Sequence, residues 1–135
     1  MRQLITLLMF IIAGCSSSDA PLVATDVKIN APLPGMNMSA GYLTLHNNTS
    51  AAITITHVSS PQFGSVEMHE TIIRAGISRM VDRGEVTIPA DESVSFEPGG
   101  RHLMLMRPTG ELASVSLEFY SNSNLVLAVD ATVSR

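Results

Sequence analysis

The stretch PGGRHLMLMRP, residues 98–108, alternates apolar and donor-bearing side chains with a period of two. In an extended strand successive side chains point to opposite faces, so His102, Met104 and Met106 share one face while Leu103 and Leu105 take the other. The leucine face is fit to fill a core. The opposite face carries an imidazole and two thioethers, which is either an ordinary apolar surface or half of a metal site.

The same period runs through much of the chain. Ile53, Ile55 and His57 alternate with Thr54, Thr56 and Val58, and Val94 and Phe96 alternate with Ser93, Ser95 and Glu97. Short runs of strand length span 40–47, 51–60, 64–71, 76–82, 85–89, 92–98, 101–108, 113–120 and 124–135. Between them fall NNTS, SPQFG, DRGE, PADES, EPGG, PTGE and SNSN, rich in residues that accept positive φ or fix a bend. No stretch shows a sustained amphipathic helix or an internal repeat. Regular short strands at this spacing predict an all-β antiparallel sandwich or small barrel.

With 135 residues, 45% hydrophobic and 15% charged, the chain supports one domain with a real core and is not a disordered polyelectrolyte. A formal net charge of -4, with Lys28 the single lysine, provides no basic patch and argues against a nucleic-acid partner. The opening MRQLITLLMFIIAGC has Arg2, an apolar run too short to span a bilayer, and small residues before Cys15. IAGC resembles a bacterial lipobox. The expected organisation is therefore a lipoprotein signal peptide over 1–14, a lipidated Cys15 with a flexible tether over 15–24, and a folded domain over 25–135. Ser16 and Ser17 resemble the sorting pattern for the inner leaflet of the outer membrane, placing the domain in the periplasm. No other cysteine remains to form a disulfide or a thiolate ligand.

Several chemistries lack their residues. There is no G-x-G-x-x-G, no P-loop and no G-x-S-x-G elbow, and Ile73 stands where a zinc-protease helix would need its second histidine after His69. Past Cys15 the chain holds Met36, Met38, Met68, Met80, Met104 and Met106 together with His46, His57, His69 and His102. His46 and His57 read as ordinary or internally satisfied histidines. Methionine on a strand is most often core filler.

The spacing of four of these residues is more specific. His69 is followed after ten residues by Met80, after twenty-one more by His102, and after one more by Met104. This pattern, with VEMHET, IPADESVSFEPGGRHLMLM and PLPGMNMSAGYLTLHN around it, resembles the PCuAC-type periplasmic copper chaperones, once a domain of unknown function. The likeness covers roughly residues 25 to 133. Many members have Met after the first histidine where this chain has Glu70, and some carry a His- and Met-rich tail that ATVSR lacks.

The resemblance implies a cupredoxin-like β-sandwich that binds Cu(I) through His69, Met80, His102 and Met104, catalyses no reaction, and passes copper to a receiving protein. The implied recipients are a cytochrome c oxidase subunit or its thioredoxin-like assembly factor. Coordination chemistry is compatible with that set: thioethers are soft neutral donors that favour Cu(I) over Mg²⁺, Ca²⁺ and zinc, and a blue-copper centre would require a Cys thiolate, which the sequence past Cys15 lacks. Glu67 and Glu70 are expected to solvate the surface, with orientation of an imidazole as the alternative role. Met106 is an alternate donor or core filler, and Met68 is undecided. Copper sequestration, and a structural envelope lipoprotein without metal function, are the rival readings.

Overall fold

The computed structural model describes residues 20–135, all of them in strands, turns and loops. Cys15 and the expected leader lie outside the described residues. The strands are β1 (Leu22–Asn30), β2 (Met38–Asn47), β3 (Ile53–Ile55), β4 (His57–Ser59), β5 (Phe63–Arg74), β6 (Ile77–Asp82), β7 (Val86–Ile88), β8 (Ser93–Phe96), β9 (Arg101–Pro108), β10 (Ser114–Ser121) and β11 (Asn124–Ser134).

Seven of these close on themselves in the order β1, β11, β10, β4, β5, β9, β2 and back to β1, forming a barrel. β8 adds to the edge of β2 beside β9, β6 adds to β5, and β3 pairs with β7 as a separate ribbon. Inward residues follow the period of two along β2 and β10, where Leu43, Leu45, Val115, Leu117 and Phe119 are almost wholly buried. Leu103 and Leu105 of β9 join them at 0% exposure, each burial contributing about 1.5–3 kcal/mol. Gly41 sits where β1, β2 and β9 converge; a Cβ there would lie 2.9 Å from Ile29 Cδ1 and 3.1 Å from Leu105 Cδ1, so only glycine lets these layers meet undisturbed.

Three features differ from the sequence expectation. First, β1 begins at Leu22, inside the segment expected to be tether, and its pairing with β2 starts at Leu22 opposite Asn47. A bulge between Thr25 and Lys28, with Asp26 at φ 54°, shifts the register so that Leu22 and Ile29 both face the core. Second, β1 runs parallel to β11 at Ile29–Val133, so the barrel is not purely antiparallel. Third, the run 51–60 is two strands. Ile55 and Val58 are both buried, an odd spacing that one strand cannot give; at Thr56, whose N–H donates to the Tyr120 carbonyl, the chain passes from the β3–β7 ribbon into the barrel.

One buried polar residue pins the end of β2. Asn47 is 2% exposed, and its Nδ2 donates to the carbonyls of Ala51, Ile88 and Pro89 while its Oδ1 accepts from the Thr49 backbone and hydroxyl. The β2–β3 loop and the end of β7 are thereby tied to a single amide.

Candidate metal centre

The β8–β9 turn sets up the first donor. Pro98 and Gly99 occupy the centre of a turn in which the Gly100 N–H donates to the Glu97 carbonyl at 3.0 Å, with Gly99 at φ 81°. Proline then glycine at these positions is the pattern of a type II turn. It leaves the Gly100 carbonyl facing β5, where it accepts from the Thr71 N–H at 3.0 Å and from His102 Nδ1 at 3.1 Å. A carbonyl can only accept, so His102 carries its proton on Nδ1 and presents the Nε2 lone pair. That Nε2 is buried and has no hydrogen-bond partner.

The second imidazole is held in the opposite sense. His69 Nε2 lies 2.8 Å from Glu67 Oε2, two residues back on the same face of β5. The carboxylate accepts, so the proton is on Nε2 and the Nδ1 lone pair is free; Nδ1 too is buried without a partner. His69 and His102 are direct register partners across β5 and β9, with ring centroids 5.9 Å apart and planes at 74°. With metal–nitrogen bonds of about 2.0–2.1 Å and a ring radius of about 1.1 Å, two imidazoles on one ion have centroids roughly 5–6.4 Å apart. The pair fits that span. Leaving two buried nitrogens unpaired costs about 1–3 kcal/mol each, which a shared ion would offset.

The thioethers lie around this pair. Met104 is two residues along β9 from His102 and opposite Glu67, and Met80 of β6 is opposite Thr71. Residues two apart on a strand, and direct cross-strand partners, share a face. All four donors are therefore on one face of the β6–β5–β9 segment, turned away from Leu103 and Leu105. Met104 and Met80 are both diagonal neighbours of His69, a relation that places Cβ atoms about 7–8 Å apart. His69, His102 and Met104 form the compact part, with His102 at 5% exposure; Met80, on β6 beyond β5, is 62% exposed.

Met80 arrives through the β5–β6 hairpin, whose turn residues Ala75 and Gly76 have φ 50° and 76° between the paired Arg74 and Ile77. Two positive φ values in a two-residue turn match the twist of the flanking strands. The four residues thus come from three strands, β6, β5 and β9, across one sheet face. Among the described residues no group of three or more His, Cys, Asp or Glu is placed to hold a metal. Two imidazoles alone are an incomplete set, and the side chains that share their face are the thioethers of Met80 and Met104.

The remaining candidates sort by environment. Met68 is 4% exposed in the core, so it is packing. Met106 is on the donor face, half-buried outside the core and opposite Ser65, farther from the imidazoles than Met104. Both nitrogens of His46 are taken, by Ser93 Oγ at 2.6 Å and Thr25 Oγ1 at 2.8 Å, and exposed His57 stacks on Tyr120 at 4.4 Å. Glu70 pairs with Arg83. Glu67, expected to solvate the surface, instead orients His69; the signal available in the sequence was its position two residues before His69, on the same face of a strand.

A family model described as "Putative lipoprotein LpqE-like" matches residues 22–132. The chain belongs to the LpqE-like family. Relatives within reach of this LpqE-like chain include the uncharacterized protein RP573 of Rickettsia prowazekii, 31% identical over 101 residues, 72% of this chain and 56% of that protein. A second is the Leifsonia xyli protein described as "Putative lipoprotein Lxx21020", 30% identical over 101 residues, 70% of this chain and 61% of that one. The chain thus spans little more than half the length of these curated relatives. Among solved structures, the copper-bound PCuAC domain from PmoF2 superimposes with a TM-score of 0.67 at 20% identity, covering 84% of this chain and 92% of that one. Apo-DR1885 from Deinococcus radiodurans gives 0.62 at 22% identity over 100% and 94%, and its CuI form 0.58 at 26% over 90% and 82%. The LpqE-like chain therefore has the all-β, cupredoxin-like fold of PCuAC domains.

Proposed function

We propose that this protein binds one Cu(I) ion through His69, Met80, His102 and Met104 and hands it to a client in the periplasm, while a lipid on Cys15 holds it to the inner leaflet of the outer membrane. The observation that carries the reading is the pair of buried, partnerless nitrogens, His69 Nδ1 and His102 Nε2, on imidazoles 5.9 Å apart. The similar domains that are described as copper-bound or CuI-bound support the choice of metal. Thioether donors favour the soft Cu(I) ion, and without a thiolate each neutral ligand can be displaced in turn. Exposed Met80 is the donor an acceptor protein reaches first, so transfer proceeds by ligand exchange from the rim inward. No bond of a substrate is made or broken. The client we assign is the copper-centre assembly of cytochrome c oxidase, either a subunit or its thioredoxin-like assembly factor.

The test is Cu(I) titration of the chain from Ser16 under reducing conditions against a chromogenic Cu(I) chelator. Wild type should hold one tight equivalent, and His102→Ala and His69→Ala should each lower affinity by more than the about 10–100-fold that loss of an outer-sphere partner costs. Tight binding unchanged in both variants would sink the assigned site.

A further inference from the structure

The donor face does not end at Met104. Met38 of β2 is the direct register partner of Met106 on β9, and Ala40 is the partner of Met104. Directly paired side chains have Cβ atoms about 4.5–5.5 Å apart, within reach of two thioethers sharing one ion. Just before β2 a turn closes with the Met36 N–H donating to the Leu33 carbonyl at 2.8 Å, Gly35 at φ 80°, and returns Met36 to the same region. Met36, Met38, Ala40 and Met104 line one cavity of ≈ 340 Å³, in which no lining side chain carries a charge.

Two of these methionines are unusually wet. Met36 is 49% and Met38 38% exposed, and neither belongs to the core cluster. Large flexible apolar side chains gathered at a surface, away from the core and free of carboxylates or imidazoles, offer nothing to hard cations and little to zinc. They suit a soft monovalent ion.

We propose that Met36, Met38 and Met106 form a second, thioether-only position for Cu(I) or its analogue Ag(I), adjoining the first through Met104, which borders both. Sulfur donors then run from Met38 through Met106 and Met104 to His102, and an ion can step along them by exchanging one thioether for the next, with no change of charge or oxidation state. Lacking imidazole, this position binds more weakly than the first and serves as its loading or unloading station. The inference borrows its choice of ion from the proposed function but stands on different residues.

The experiment uses the chain from Ser16, which retains every strand of the barrel, labelled with ¹³C-methyl methionine and titrated with Ag(I) in chloride-free buffer. Native mass spectrometry counts the ions. Wild type should take two, the first shifting the Met80 and Met104 methyls and the second those of Met36, Met38 and Met106. The Met36→Leu/Met38→Leu/Met106→Leu variant, near-isosteric at each position and checked for fold by circular dichroism, should take one. His69→Ala/His102→Ala should still shift the Met36, Met38 and Met106 methyls. A wild type that takes a single ion without moving those three methyls, or a folded triple-leucine variant that still takes two, overturns the proposal. If those three methyls respond while Met80 and Met104 stay silent, the proposal stands and the proposed function of the imidazole site fails instead.

Discussion

Glu67 Oε2 accepts the Nε2 proton of His69 at 2.8 Å and so leaves the buried Nδ1 as the free lone pair, on a ring whose centroid lies 5.9 Å from that of His102. The carboxylate fixes tautomer and ring orientation and makes the imidazole a better donor. Glu67→Ala should lower Cu(I) affinity by about 10–100-fold with little change in fold stability. Chelator competition reads the affinity and urea denaturation the stability; equal losses in both would mean that Glu67 acts only as structural support.

Two methionines of the same hairpin should behave oppositely. Met80 is exposed, so Met80→Leu should change stability by no more than about 0.5 kcal/mol while weakening copper binding. Met68 is buried in the core, so Met68→Ala should cost about 2–5 kcal/mol of stability with the ligand set intact. Paired urea melts and Cu(I) titrations of the two variants check the contrast.

Asn47→Ala removes the amide that donates to the carbonyls of Ala51, Ile88 and Pro89 and so links the β2–β3 loop to the end of β7. The Ala51 carbonyl keeps the Thr49 hydroxyl as a donor, but the Ile88 and Pro89 carbonyls lose the amide, at about 1–3 kcal/mol for each buried group left unsatisfied, so this truncation should be clearly destabilising. Chemical denaturation against Asn48→Ala, whose side chain makes one exposed bond to the Ala20 carbonyl, gives the comparison.

Tyr120 should ionise above the ordinary phenol value of 10.0, because its hydroxyl donates to Glu118 Oε2 at 2.8 Å and deprotonation would lose that bond beside a carboxylate. The folded value lies above the unfolded one, so the contribution of this contact to stability is fully present below about pH 10 and is lost as pH rises through the folded value. Ultraviolet titration of tyrosinate should show the late transition, and Glu118→Ala should move it earlier.

Some strands were legible because their burial is local and periodic. Along 101–108 and 113–120 the alternation of Leu103 and Leu105, and of Val115, Leu117 and Phe119, gives faces that pair without irregularity over most of their length. β1 was not legible: its two core residues, Leu22 and Ile29, are an odd number apart, and the bulge at Asp26 that reconciles them exists only through pairing with β2. The break at Thr56 was hidden for the same reason, since Ile53 to Val58 alternates in composition and not in burial. Glu67 was legible as an imidazole partner only as the alternative to a solvated carboxylate, a role it shared with Glu70, and the fold separates the two by pairing Glu70 with Arg83.

The sequence by itself determined the all-β class, through a side-chain period that any extended chain imposes, and the soft-donor inventory, through which residue types recur at fixed intervals. Intervals of ten and twenty-one residues say nothing about distance in space. Only the tertiary structure decided that β5 and β9 pair with His69 opposite His102, that the Gly100 carbonyl and Glu67 claim one nitrogen of each ring, and that Met38 lies across from Met106. Those are facts of register and barrel closure, set by which strands share a core far apart in the chain.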